Sequence, residues 1–179
     1  MPDRSLADWL QLLESRHPSE IELGLERVAE VWSRLLLSPE LSQQKPPLAI
    51  TVAGTNGKGS CVRSMQALLL AHGYTVGAFT SPHFLAYNER ICLAGQPVSD
   101  QVVVNAFEQI EAVRGEISLT YFEFGTLAAL VVFYQAGLEV MLLEVGLGGR
   151  LDAINIIDAD VAVLTSVALD HCDWLGHTR

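Results

Sequence analysis

The chain has 179 residues, 11 Lys and Arg against 21 Asp and Glu, a formal charge of −10 and a mean hydropathy of +0.29. Half of it is hydrophobic, which excludes disorder as the main state and provides a core for one domain or most of one. The acidic balance argues against duplex nucleic acid and against an anionic membrane surface, which require a basic face, but not against a small anion held by a few dipoles and one cation. The three cysteines, Cys61, Cys92 and Cys172, show no CxxC pairing and suit reduced thiols. Acids throughout the first 30 residues exclude a secretory or transit peptide, and no apolar run approaches the roughly 20 residues of a membrane span. The expectation is a soluble, cytoplasmic protein.

Residues 5–16 and 19–37 carry apolar side chains at helical spacing, with Ser5 and Ser19 as N-caps. Pro39 and Lys45-Pro46-Pro47 close this helical arm. Leu48–Ala53 is a near-continuous apolar run, the pattern of a strand buried on both faces of a parallel sheet. A glycine-rich loop, Gly54 to Ser60, comes next, then a helix to about His72 with Gly73 beyond its end. Thr75–Thr80 is the next strand and Ser81-Pro82-His83 a loop. Glu89–Val98 reads as a hairpin turned at Ala94-Gly95, with Pro97 marking an edge. Ser99 and Asp100 open a helix to Arg114. Thr120 and Glu123 have capping-box spacing ahead of an apolar helix ending at Gly137. Val140–Val145 and Val161–Val167 are strands, the second leading to Asp170-His171. The order predicts an α/β fold, a mostly parallel sheet with flanking helices. Its polar residues gather beyond the carboxyl ends of the strands, where such sheets bind ligands.

The loop Gly54-Thr55-Asn56-Gly57-Lys58-Gly59-Ser60 is the strongest signal. A strand, a glycine turn bearing a lysine, then a helix makes a phosphate cradle, with backbone N–H groups facing the anion and Lys58 reaching the outer phosphates. Lys58 is one of only two lysines in the chain. Gly59 stands where a P-loop (GxxxxGK[ST]) has its magnesium-binding hydroxyl, so a bridging ion must find oxygen elsewhere, and Ser81 is the nearest candidate. Glu144, closing an apolar strand, is a second candidate metal ligand, because a buried acid needs a cation. His171 beside Asp170 is a third, at the same sheet edge. His17, His72, His83 and His177 read as ordinary surface or packing residues. Gly146-Leu147-Gly148-Gly149 is not a dinucleotide fingerprint, since Leu151 occupies the third glycine's place. It reads as pliable backbone beside a ligand, with Arg150 and Asp152 as polar handles. Tyr121-Phe122 and Leu23-Gly24-Leu25 fit either a core or a pocket for a flat aromatic ligand.

Taken together, these motifs resemble those of the bacterial folylpolyglutamate synthase/dihydrofolate synthase family of the Mur ligase superfamily. The resemblance rests on Gly54–Ser60, Thr80-Ser81-Pro82-His83, Leu119–Glu123, Leu143–Ala153 and Leu169-Asp170-His171, and it spans essentially the whole chain. It implies a P-loop-containing, Mur-ligase-type ATPase domain over 48–179, incomplete at its C-terminus. Residues 1–47 would be a helical arm and linker, and a C-terminal glutamate-ligase domain would lie outside the chain. It implies ATP binding by Gly54, Thr55, Asn56, Gly57, Lys58, Gly59 and Ser60, with Lys58 and His171 catalytic. Mg²⁺ would be held by Ser81, Glu144 and His171. Dihydropteroate would lie among Glu22, Leu23, Gly24, Leu25, Thr120, Tyr121, Phe122, Glu123, Leu151, Asp152 and Ala153.

The implied activity is ATP-dependent joining of L-glutamate to dihydropteroate and to tetrahydrofolates through an acyl phosphate. The full-length enzyme would be a monomer with neither nucleic acid nor membrane as partner, and these 179 residues alone would not ligate glutamate. A simple P-loop NTPase or phosphotransferase, or a non-catalytic nucleotide-binding fragment, is the alternative.

Overall fold

The computed structural model describes residues 4–16 and 22–176. Two helices, α1 (Leu6–Arg16) and α2 (Glu26–Leu36), precede β1 (Leu48–Ala53), α3 (Lys58–Ala71) and β2 (Val76–Phe79). A small hairpin comes after them, β3 (Ile91–Leu93) and β4 (Gln96–Pro97), then α4 (Asp100–Arg114), α5 (Tyr121–Gln135), β5 (Val140–Glu144), β6 (Val161–Leu164) and a single turn, α6 (Cys172–Leu175). The strands form one sheet in the order β4-β3-β2-β5-β1-β6. The four strands β2, β5, β1 and β6 run parallel and only the hairpin is antiparallel. This is the architecture anticipated from the alternation of strands and helices.

Strand β5 shows how the core divides. Val140 and Leu142 point to one face, where α3 covers them together with Val52, Val76, Ala78 and Cys92. Met141 and Leu143 point to the other, into a larger core with Trp9, Phe107, Phe124 and Phe133, contributed by α1, α4 and α5. A period of two along a strand buried on both faces produces this division. The fit on the thicker side is close: a Cβ at Gly77 of β2 would lie 2.6 Å from Phe133 Cδ1 and 2.5 Å from Leu138 Cδ1. Among the described residues no helix is long and apolar enough to cross a membrane.

Several expected signals take the predicted form. Asp8 N–H donates to Ser5 Oγ (3.2 Å) and Ser5 N–H to Asp8 Oδ2 (3.0 Å), a reciprocal cap for α1. Thr120 and Glu123 do the same for α5. The hairpin turns at Ala94 (φ +48°) and Gly95 (φ +80°), both left-handed, as a two-residue turn requires. Pro97 sits in the rim strand. Ser99 precedes α4 but makes no side-chain cap bond.

Three boundaries differ from expectation. The helix expected over 19–37 begins only at Glu26. Gly24 adopts φ +153° and donates its N–H to Leu151 O at 3.3 Å, so this stretch is tied to a distant loop instead of coiling. Ser19, His17 and His177 lie outside the described residues. Strand β6 stops at Leu164, because Ser166 turns its carbonyl to accept from Thr55 N–H (2.6 Å). Residues 87–90, expected in the hairpin's first strand or just ahead of it, form a 3₁₀ turn.

Candidate functional site

The glycine-rich loop leaves the carboxyl end of β1 and delivers Lys58 as the first residue of α3. Two of its glycines are required by shape. A Cβ on Gly54 would lie 2.1 Å from Thr165 Oγ1, and Gly57, the N-cap of α3, has φ +86°. Thr55 and Asn56 fasten the loop to the segment after β6: Thr55 Oγ1 donates to Ala168 O (3.2 Å) and Asn56 N–H to Ser166 Oγ (3.4 Å). Lys58 Nζ folds back on the loop, donating to Gly54 O (2.8 Å) and Thr55 O (3.3 Å). The result is a fixed loop opening a 14-residue helix, with one ammonium over it. Such an arrangement can chemically accommodate an anion.

Glu144 ends β5 and is only 5% exposed. Its carboxylate accepts from Ser81 N–H (3.2 Å) and from the N–H of Gly59 in the phosphate loop. Burial pushes its pKa up, and the Ser81 N–H, the Lys58 charge and the Gly59 N–H only partly offset that. A buried carboxylate under-compensated in this way suits a hard, oxygen-seeking cation, so the donor chemistry fits a divalent metal.

Of the three proposed metal ligands, Ser81 and Glu144 are joined through the Ser81 backbone N–H. His171 lies on the wall of a first cavity of about 310 Å³, which it lines together with Gly54, Thr55, Lys58 and Asp170. No group of three His, Cys, Asp or Glu side chains clusters among the described residues. Any ion here would complete its shell from phosphate and water oxygens.

A larger cavity of about 760 Å³ opens beside the first. Of the positions expected to hold the aromatic substrate, Glu22, Leu23, Gly24, Thr120, Tyr121, Phe122, Glu123, Leu151, Asp152 and Ala153 line it. Leu25 is not among the lining residues and serves as N-cap of α2. Two of the acids there are structural. Glu123 caps Thr120 N–H (2.7 Å) and pairs with Arg27 Nη2 (2.9 Å), and Arg27 also pairs with Glu22.

Asp152, expected as a polar handle, turns inward at 3% exposure. It accepts from Gly146 N–H (3.0 Å), Leu147 N–H (2.9 Å) and Ile154 N–H (3.0 Å). Burial outweighs those bonds and pushes its pKa up to about 6. The cavity also draws on Leu13 and Glu14 of α1, on Pro82, and on Arg90 at the end of the first 3₁₀ turn, none of which is assigned to a ligand from the sequence alone. Arg90 alone carries a signal there, as a cation just ahead of a strand run at the ligand edge. His83, read as an ordinary residue, accepts from Arg90 Nε at 2.8 Å.

A mostly parallel sheet with a glycine-rich loop opening a helix, a buried acid on the neighbouring strand and a cavity at the same carboxyl edge defines an α/β domain with a Mur-ligase-type fold. No family model matches the chain. It is 55% identical over 175 residues to dihydrofolate synthase/folylpolyglutamate synthase of Escherichia coli, covering 97% of this chain and 40% of that protein. Against the protein of the same name from Haemophilus influenzae the identity is 50%, over 97% of this chain and 38% of that one. Among solved structures, E. coli FolC in complex with DHPP and ADP superposes with a TM-score of 0.91 at 54% identity, covering 98% of this chain and 41% of that one. The Yersinia pestis bifunctional enzyme complexed with AMPPNP and Mn ion gives 0.87 at 57%, over 98% of this chain and 42% of that one. The chain belongs to the folylpolyglutamate synthase/dihydrofolate synthase family and spans about 40% of the length of these relatives.

Proposed function

We propose that the chain forms the ATP-binding part of an amide ligase that joins L-glutamate to dihydropteroate and to reduced folates. The observation that carries this reading is Glu144. Its buried carboxylate bonds the phosphate loop at Gly59 and, through Ser81 N–H, the rim of the large cavity. One acid thus joins a nucleotide site to a pocket sized for an aromatic ligand. The relatives support the ligands: their solved structures hold DHPP and ADP in one case, and Mn, AMPPNP and L-glutamate in another. The division into an arm over 1–47 and an ATP-binding part over 48–179 belongs to the same reading, with the arm contributing Leu13 and Glu22–Gly24 to the cavity wall. So do a cytoplasmic location and a monomeric full-length enzyme.

In this reaction a carboxylate oxygen of dihydropteroate attacks the γ-phosphorus of ATP and ADP leaves with the bonding electron pair. The amine of glutamate then attacks the acyl carbon, phosphate leaves, and the amine gives up a proton. The phosphate loop and the N-terminus of α3 hold the phosphates, and Lys58 offsets charge on the transferred group. A divalent cation, when bound, neutralises the phosphate oxygens; Glu144, Ser81 and His171 are the residues proposed to hold it. The wall formed by Tyr121, Phe122 and Leu151 orients the aromatic acid, and orientation provides much of the rate.

The test is ADP release with dihydropteroate, with and without L-glutamate, measured on a protein of the relatives' full length. Release that depends on glutamate is expected. Equal release without it would replace the ligase reading with a simple NTPase.

A further inference from the structure

The proposed reaction needs the acid group of dihydropteroate held at the phosphate side of the large cavity, and the role assigned below to Arg90 rests on that reading. The ionisable lining is lopsided: Glu14, Glu22, Glu123 and Asp152 are acids, and Arg90 is the only lysine or arginine among the described lining residues. Glu22 and Glu123 are paired with Arg27 and Asp152 is held by three backbone N–H groups, so Arg90 is the cation of the described lining left to face an entering anion.

Arg90 sits where such a group would be needed. Its carbonyl accepts from Thr80 N–H at 3.0 Å, which places it across from the residue preceding Ser81. Its guanidinium lies 5.6 Å from the ring centroid of Tyr87 and 5.6 Å from that of Tyr121, and its Nε donates to His83 Nδ1. Neither Nη group has a hydrogen-bond partner among the described residues. Two rings and one hydrogen bond therefore hold the fork in place, so a planar two-oxygen acid can be bound at little entropic cost.

We propose that Arg90 binds the carboxylate of dihydropteroate, its Nη edge receiving the two oxygens at the end of the cavity bounded by Ser81. A ligand with its negative charge at that end meets Arg90, whereas the rest of the described lining offers no Lys or Arg.

The test compares two probes, dihydropteroate and its carboxamide, in which –CO₂⁻ is replaced by –CONH₂, by titration calorimetry on the 179-residue chain and its variants. Arg90→Gln should weaken the acid roughly 10- to 100-fold and shift the carboxamide by less than about twofold. Arg90→Lys keeps the charge but loses the fork, and should fall between. Equal losses for both probes, or no loss for either, would overturn the assignment. If Arg90→Gln does not unfold cooperatively on heating, the same comparison with Arg90→Lys decides. If the unsubstituted chain binds neither probe, the reading of the cavity fails first and this inference with it.

Discussion

Two glycine-rich loops flank the same sheet edge, and they are built on opposite principles. The loop at 54–60 is tied down from outside, by bonds from Thr55 and Asn56 to the segment after β6, and it opens directly into α3. Its single charge, Lys58, rests on loop carbonyls and can be redirected to a ligand. The loop at 146–152 is tied down from within, by one buried carboxylate spread over three backbone N–H groups, and it leads into a 3₁₀ turn. Glycine content is therefore a poor guide to role. The element that the glycines lead into, and the source of the fastening, separate the proposed phosphate cradle from a cavity wall.

The contrast can be broken at several points. The largest effect is expected from Lys58→Ala, which should lower ADP release in a protein of the relatives' full length about a thousandfold while moving urea stability by less than about 0.5 kcal/mol. Retained turnover would remove the cradle role. Asp152→Ala should do the reverse and cost roughly 3–5 kcal/mol of stability, because three backbone N–H groups, one buried and two part-buried, lose a buried acceptor. An undisturbed unfolding midpoint would show that the loop fastens itself some other way.

Asp152 also gives the contrast a pH signature. Its carboxyl titrates near about 6 in the folded chain against 3.8 for the ordinary group, so the folded state holds the proton more tightly. The stability this provides is complete below pH 4 and is lost as pH rises through 6, about 3 kcal/mol in all. Urea unfolding at pH 4 and pH 7 should show that slope diminished in Asp152→Asn relative to the parent. Parallel slopes would mean the group is not perturbed. Among the glycines, Gly54→Ala should cost about 2–3 kcal/mol, since its Cβ has no room beside Thr165 and φ is +132°. Gly149→Ala meets nothing within 4 Å and should stay within about 0.5 kcal/mol, the smallest effect of the set.

Much of this was legible from residue order. The run Leu48–Ala53 into Gly54–Ser60 determines strand, loop and helix by purely local rules, and the Thr120–Glu123 box is a local rule too. Glu144 was readable as a buried acid because apolar residues surround it in sequence. What escaped was set by contacts that follow no fixed spacing rule, some distant in sequence and some within a single loop. Gly24 abandons the expected helix to bond Leu151, Asp152 turns inward because the N–H groups of Gly146 and Leu147 point at it, and Arg90 faces the cavity because Tyr87 and Tyr121 flank it. None of these pairings leaves a periodic or compositional trace.

Cys92 adds a practical consequence. Its thiol is 1% exposed in β3, and burial raises its pKa, whereas Cys61 is partly open. A thiol reagent added to the folded chain should therefore label Cys61 promptly. It can reach Cys92 only when the hairpin lifts from β2, so the lag before Cys92 itself is modified serves as a clock for local opening at the rim of the sheet.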